Sequence, residues 1–539
     1  MKGGRIKMDD YLNTIPLKEK VLTKILDRQV KENKNREFFQ YGEEKAITYG
    51  EAEEITNKVA NSFIKLGIKK GENVALMLPN CNEYIFTWLG LAKIGGVKVP
   101  INTAFKGDML QYIIDHSDSR ILVISDEYLD HLKAIEERLP KLQEVIVVER
   151  VKNVNVSDFK FPKIRYFKEL YKGEPKKPEI EISFYDPLTL LYTSGTSGLS
   201  KGVICTHAHS ITFAMYFMRV TGFCKEDILY TSLPFFHTLA ATLGIIPAVI
   251  SGTKIGFIER FSASRFWKDV KLFKATVAHV IFSIPPILAK QPITEEERTN
   301  TLRCMYLAQR NPEFEKRWNL KMCEVYGMTE TGINTYVQWG EEKPVRSCGK
   351  VSEIFDLQIV DDYDNPVQVG EVGELLIRPK YPWVMFQQYY RMPQENLDLF
   401  RNLWYHTGDR LYQDTEGYFY FVDRKKDAIR FRGENITSYE IERLVNQHPK
   451  VLETAAIAVP SELLEDEVKV CVVLKPGEQL TPQELYQFCI DTMPKFMVPR
   501  FIEFMDEMPK SASEKIQKFK LRTAGKQGIT DKTWDCTKA

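Results

Sequence analysis

Between Leu190 and Val203 the chain reads LLYTSGTSGLSKGV, an apolar run that gives way to hydroxyls and glycines and then to a lysine. Glycine lets backbone N–H groups turn toward a ligand, and clustered Ser/Thr hydroxyls add donors suited to phosphate oxygens. Thr193, Ser194, Gly195 and Thr196 supply that cluster, and Lys201 supplies a mobile positive charge. The spacing is not the Walker form GxxxxGK[ST], because glycine follows the lysine. Taken alone, the segment reads equally well as a surface linker.

Three further segments carry residues of the same kind. In VYGMTETG (325–332), Tyr326 could stack on a base, Gly327 could admit a backbone, Thr329 could bond a phosphate and Glu330 could hold a cation. The same residues could instead start a helix capped by Thr329. In YHTGDRLYQDTEGYFYFVDRKKD (405–427), Asp409 suits two vicinal hydroxyls such as those of a ribose, or serves only as a turn residue after Gly408; Arg424 follows. PKSASEKIQKFKLR (509–522) offers Lys515 in a basic tail, where a solvated face is the plainer reading.

These residues need a scaffold, and the patterning supplies one. In EAEEITNKVANSFIKLG, Ile55, Val59, Phe63 and Leu66 fall on one helical face and Gly67 ends it. NVALMLP then reads as a strand, followed by a helical pattern through Tyr84, Trp88 and Leu91. KVPIN, RILVISD and EVIVVER read as further buried strands, and such alternation predicts a parallel sheet covered on both faces. The last hundred residues differ: YEIERLVNQHP and TPQELYQFCI read as helices around the strands ETAAIAV and VKVCVVL, a small α+β domain. The charged DRKKD at 423–427 is the natural boundary.

Composition narrows the function. The 539 residues include 74 basic and 73 acidic ones, a balance that argues against bulk attraction to nucleic acid. No apolar run nears the roughly 18 residues of a membrane span, and the start lacks the apolar core of a secretory signal. Nine cysteines without CxxC pairs suggest neither zinc nor a disulfide framework. A soluble, cytoplasmic protein is expected.

The order of the motifs is decisive. The Ser/Thr/Gly loop, LPFFHTLA, YGMTE, YHTGD, DRKKDAIRFRGENI and PKSASEKI follow one another as they do in the adenylate-forming enzymes (acyl-CoA synthetases, peptide-synthetase adenylation domains and luciferases), which the chain resembles over roughly residues 30–522. That resemblance implies an α/β fold: a large multi-sheet N-terminal domain over 1–425 with the ATP and acyl pockets, and a small, mobile α+β lid over 426–539. By resemblance, Thr193, Ser194, Gly195, Thr196 and Lys201 form the phosphate loop. Tyr326 lines the adenine pocket beside Gly327, Thr329 contacts a phosphate, and Glu330 carries Mg²⁺. Asp409 takes the ribose hydroxyls with Arg424 beside it, His237 lies near the acyl group, and Lys515 bridges the carboxylate and the α-phosphate. Lys426 is the hinge, and Gly433 and Glu434 line the thiol tunnel once the lid has rotated.

The implied activity is that of an ATP- and Mg²⁺-dependent, AMP-forming acyl-CoA synthetase acting on a small-molecule carboxylic acid, with CoA as acceptor. The alternative is a stand-alone adenylating enzyme that loads a carrier-protein thiol. An amino-acid substrate is disfavoured, because HTLAATLGIIPA (237–248) contains no acid to hold its ammonium. CNEYIFTWLGLAKIG, SASRFWKDVKLFKATV, FYFVDRKKD and ENITSYEIERLVNQHP resemble the carnitine/crotonobetaine-CoA ligase branch most. A betaine of that type or a neutral short-to-medium acid is therefore expected, with Gly332, Ile333 and Asn334 nearest the acyl chain; the rings of Tyr336 and Trp339 could receive a quaternary ammonium, although packing residues are the plainer reading. Two departures stand out. Ser200 replaces a common proline, which is expected to loosen the loop, and Ala308-Gln309-Arg310 replaces the small turn that usually approaches adenine.

Overall fold

The structure, a computed structural model, describes residues 15–151, 156, 159–193, 200–282, 284–307, 310–424, 428–431, 434–461, 465–509 and 516–538. Helix Tyr49–Lys65 begins at a reciprocal cap, in which Glu51 N–H donates to the Thr48 hydroxyl and Thr48 N–H to the Glu51 carboxylate. Strand Asn73–Met77 follows, buried at every position, and then helix Asn82–Ile94. The alternation continues into a seven-stranded sheet. Its order in space is Lys163–Tyr166, Glu144–Val148, Ile121–Ser125, Asn73–Met77, Val97–Pro100, Pro187–Thr193 and Lys201–Thr206, parallel except for the last strand.

A second seven-stranded sheet, also mainly parallel, includes Ile228–Thr231, Lys254–Phe257, Val277–His279, Cys304–Tyr306 and Lys321–Cys323. Helices Tyr49–Lys65, Asn82–Ile94, His207–Thr221 and Thr238–Ser251 share one apolar core with strands of both sheets. The opposite face of the first sheet is covered by helix Gly107–His116 and the segment around Leu129 and Leu132. Burial on both faces is why its central strands read as near-continuous apolar runs instead of alternating.

An antiparallel four-stranded sheet (Phe355–Val360, Gly373–Pro379, Tyr405–Gln413, Phe419–Arg424) completes the large N-terminal part. The smaller C-terminal domain contains the hairpin Ala428–Phe431/Glu434–Thr437 and helices Ser438–Val445 and Pro482–Thr492. Its sheet is ordered Val451–Pro460, Asp466–Leu474, Phe501–Phe504, Trp534–Asp535. Ile441, Leu444, Val470 and Leu485 form its core, which Met109 enters from helix Gly107–His116. At the junction Asp108 accepts hydrogen bonds from Arg443 and Gln447, both at 3.2 Å, and the Lys106 ammonium donates to the carbonyls of Ile490 and Asp491 at 2.8 and 3.0 Å. No helix among the described residues is long and apolar enough to cross a membrane.

Candidate active site

Strands Pro187–Thr193 and Lys201–Thr206 pair antiparallel with Thr193 opposite Lys201, so the two ends of the hydroxyl-rich loop stand side by side. Ser194, Gly195 and Thr196 lie outside the described residues.

The segment VYGMTETG is a β-hairpin and not the start of a helix: Tyr326–Met328 pairs with Gly332–Tyr336, and Thr329, Glu330 and Thr331 make the tip. Gly327 is needed there, because a Cβ would stand 2.3 Å from the Gly332 carbonyl oxygen. Gly332, at φ +74°, turns the chain back. Glu330 is therefore fixed at a hairpin tip and is nonetheless buried, 5% exposed. Its backbone carbonyl accepts from the Phe386 N–H at 2.7 Å. Its Oε1 accepts from the Tyr389 hydroxyl at 2.8 Å and from the Thr193 hydroxyl at 3.3 Å. The Lys201 ammonium lies 5.2 Å from the centre of the Tyr389 ring. Thr193 and Lys201, from one segment of the sequence, thus meet Glu330, from another, around Tyr389. Burial, and then the neighbouring Glu330 carboxylate, push the Tyr389 phenol well above its ordinary pKa, so it stays protonated and donates. Thr329 is half-buried beside Glu330.

A second cluster forms around Asp409, which lies within strand Tyr405–Gln413 and not in a free turn, although Gly408 before it takes φ +71°. Asp409 is buried; its Oδ2 accepts from the Tyr326 hydroxyl at 2.8 Å, and its N–H donates to the Thr407 hydroxyl at 3.1 Å. The Tyr326 ring lies near-parallel to Phe421, centres 6.4 Å apart. Arg424 is the register partner of Asp409 on the neighbouring strand. Tyr326 and Glu330 share one hairpin, while Asp409 shares its strand with Tyr405, whose hydroxyl is 3.3 Å from that of Tyr389. The hairpin and strand Tyr405–Gln413 therefore each contribute to both clusters.

His237 precedes helix Thr238–Ser251, its ring 4.7 Å from that of Phe236, and among the described contacts it joins neither cluster. Glu434 opens the second strand of the 428–437 hairpin, paired with Phe431. Lys426, Gly433 and Lys515 lie outside the described residues, as do Ala308 and Gln309. Arg310 is committed elsewhere, with Glu315 at 3.3 Å, the Lys343 carbonyl at 2.7 Å and Glu342 as partners.

Of the two readings of Tyr336 and Trp339, the structure favours packing residues. Tyr336 has the Arg219 guanidinium 5.6 Å from its centre, and Trp339 has that of Arg303 at 4.6 Å. Trp339 also packs so closely on Gly222 that a Cβ there would fall 2.6 Å from the indole. Both rings already serve the chain's own cations. Sequence reasoning also missed Tyr389, which sits in an irregular stretch with no periodicity or motif to mark it.

Residues 26–390 match the family described as AMP-binding enzyme, and residues 440–515 match its C-terminal domain. The crotonobetaine/carnitine–CoA ligase of Proteus mirabilis (strain HI4320) is 34% identical over 493 residues, 89% of this chain and 94% of that protein. Its counterpart in Salmonella typhi is 33% identical over 498 residues, 88% of this chain and 93% of that protein. Among solved structures, the anthranilate CoA ligase AuaEII in complex with anthranoyl-AMP superposes with TM-score 0.70 at 25% identity, covering 96% of this chain and 99% of that one. The o-succinylbenzoate CoA synthetase MenE of Bacillus subtilis shares the fold with TM-score 0.78 at 23% identity, covering 92% and 98%.

Proposed function

The chain belongs to the AMP-binding enzymes and is an AMP-forming acid–CoA ligase, and we propose that it activates a small to medium carboxylic acid, the carnitine-type betaines included, as its adenylate before transfer to CoA. The observation that carries this reading is the meeting of Thr193, Lys201 and Glu330 beside the Tyr326–Asp409 pair. One cluster has the groups for phosphates and a cation; the other has those for a nucleoside.

In the first half-reaction a carboxylate oxygen attacks the α-phosphorus of ATP and pyrophosphate leaves. Two anions approach each other, so the residues must offset repulsion and hold a line of attack. Thr193 and Lys201 hold phosphate oxygens at one end of the nucleotide. Asp409 accepts the ribose hydroxyls at the other, with Tyr326 beside the base. Lys515, on the C-terminal domain, supplies the cation between the reacting anions. Magnesium fits Glu330: a single buried carboxylate suits an ion that takes its remaining oxygens from phosphates and water, and among the described residues no group of three ligands offers a closed protein cage. When bound there, the metal neutralises charge on the phosphates. Tyr389 keeps the carboxylate oriented toward that task.

In the second half-reaction the CoA thiolate attacks the acyl carbon and AMP leaves, with Lys426 as hinge and Glu434 at the thiol path. His237 lies toward the acyl group. All nine cysteines are free thiols, which suits the cytoplasmic setting we infer. The test is an ATP–pyrophosphate exchange screen over betaine, aliphatic and aryl acids, followed by detection of the CoA thioester. Exchange with crotonobetaine and not with a neutral acid of similar length supports the betaine substrate; the reverse rejects it and leaves the ligase standing.

A further inference from the structure

We propose that Ser200 is a positioning residue: its hydroxyl holds the C-terminal domain in the arrangement seen here, which serves thioester formation and not adenylation. The proposal rests on the acid–CoA ligase reading. Ser200 is the last residue before strand Lys201–Thr206, at the outgoing end of the phosphate loop, and it is buried. Its hydroxyl donates to Oε1 of Glu440 at 2.9 Å. Its carbonyl accepts from the Tyr112 hydroxyl at 3.0 Å. Tyr112 stands on helix Gly107–His116 and Glu440 on helix Ser438–Val445, so one residue ties the phosphate hairpin to the helices on both sides of the domain junction.

Among the described residues, the other polar contacts at this junction are less buried. Arg443 and Asp108 are 26% and 35% exposed, and the carbonyls that receive Lys106 lie at the rim. Pairs that keep this much contact with water contribute less to holding two bodies together than a fully buried one does. Glu440 differs: it is 4% exposed, and its N–H donates back to the Thr437 hydroxyl that caps its helix. A buried carboxylate deprived of its donor loses more than the bond itself, because no water replaces the partner. The junction is therefore most sensitive at the Ser200 hydroxyl.

The direction of the effect follows from what else is docked. With this bond made, the 428–437 hairpin is drawn against the N-terminal domain, the Arg430 guanidinium 4.6 Å from the Phe282 ring. That hairpin carries Glu434, assigned above to the thiol path. Loss of the hydroxyl should release the hairpin and slow the thiol step, leaving the first step intact.

Wild type, Ser200→Ala and Ser200→Thr are compared by hydrogen–deuterium exchange without substrate and by the two half-reactions measured separately, pyrophosphate exchange and thioester formation from supplied butyryl- or crotonobetainyl-adenylate. In Ser200→Ala, exchange in helix Ser438–Val445 should rise about tenfold, the thioester step should fall about tenfold, and pyrophosphate exchange should stay within about twofold. Ser200→Thr, which keeps the hydroxyl, should restore both altered quantities. Equal loss of both half-reactions, or unchanged deuterium uptake in Ser200→Ala, overturns the proposal. If wild type activates no acid, the ligase reading falls by itself, and deuterium uptake still decides whether Ser200 holds the junction.

Discussion

Glu330 and Asp409 are both buried carboxylates, and each accepts a tyrosine hydroxyl at 2.8 Å. Their surroundings nevertheless differ in kind. Glu330 sits at a hairpin tip, reached by the Thr193 hydroxyl, with the Lys201 ammonium against the same tyrosine. Asp409 sits inside a strand, with backbone support from Thr407 and a stacked aromatic pair alongside. The first setting gathers groups of both charges where the two ends of the hydroxyl-rich segment stand side by side. The second is a rigid, aromatic wall with one acceptor. The cation role proposed for Glu330 and the sugar-acceptor role proposed for Asp409 rest on the company each carboxylate keeps, since the carboxylate group and its burial are shared.

That contrast can be broken most directly by Glu330→Gln, which preserves shape and the bond from Tyr389 while removing the charge. Pyrophosphate exchange should drop by about a hundred- to thousandfold even at saturating ATP, with excess Mg²⁺ giving no rescue. Asp409→Asn should lower kcat/KM for ATP by about ten- to hundredfold while kcat recovers at high ATP, and it should erase the preference for ATP over 2′-deoxy-ATP. A kcat defect in Asp409→Asn as deep as that of Glu330→Gln would dissolve the distinction.

The tyrosine donors sharpen it. Tyr389→Phe unties Glu330 and should cost about tenfold in exchange rate, seen mainly as a higher Mg²⁺ requirement. Tyr326→Phe should cost only a few-fold, seen as a higher KM for ATP, because Asp409 keeps its other support. Interchanged dependences would mean that the two clusters have been assigned the wrong way round.

The smallest effect concerns a third buried carboxylate, Glu440. Burial holds its carboxyl above the ordinary value of 4.5, against the opposing pull of its bonds from Ser200 and Thr437 and the charge of Arg443. The folded state thus binds a proton that the unfolded state releases earlier, so this contribution to stability is present at low pH and fades as pH rises from about 4.5 through the raised value. Thermal melts across that window should slope downward with pH in wild type and less so in Glu440→Gln; an identical slope in both would remove Glu440 as its source.

Much of this was legible in the sequence because it rests on local rules. Alternating helix and strand patterns around Val59, Trp88 and Ile146 gave a parallel sheet buried on both faces, since hydrophobic period and burial are set within a dozen residues. The site was legible only as residues in order. Nothing near VYGMTETG distinguishes a capped helix from a hairpin; the close approach of Gly327 to the Gly332 carbonyl decides it, and that is a contact across the turn. Tyr389 was invisible because its role comes from where an irregular segment is laid down. Trp339 could be read as packing or as open to a ligand, because pairing with Arg303, thirty-six positions earlier, leaves no mark in either neighbourhood. Ser200 was marked in the sequence only as a departure at its loop, and that its hydroxyl reaches a residue 240 positions away is a contact nothing local signals.

Helix Gly107–His116 faces two ways, and this bears on how the molecule melts. Leu110, Ile113 and Ile114 belong to the core under the first sheet, whereas Met109, with Phe105 beside it, belongs to the C-terminal core. The hydrophobic cores of the two domains meet at one short stretch of chain. Cooperativity in unfolding requires that losing one core expose a large part of the other. Among the described residues, the apolar side chains of the N-terminal part that join the C-terminal core are Met109 and Phe105, so the chain should denature as two separable units in calorimetry. An ATP-site ligand should displace the N-terminal transition further than the C-terminal one.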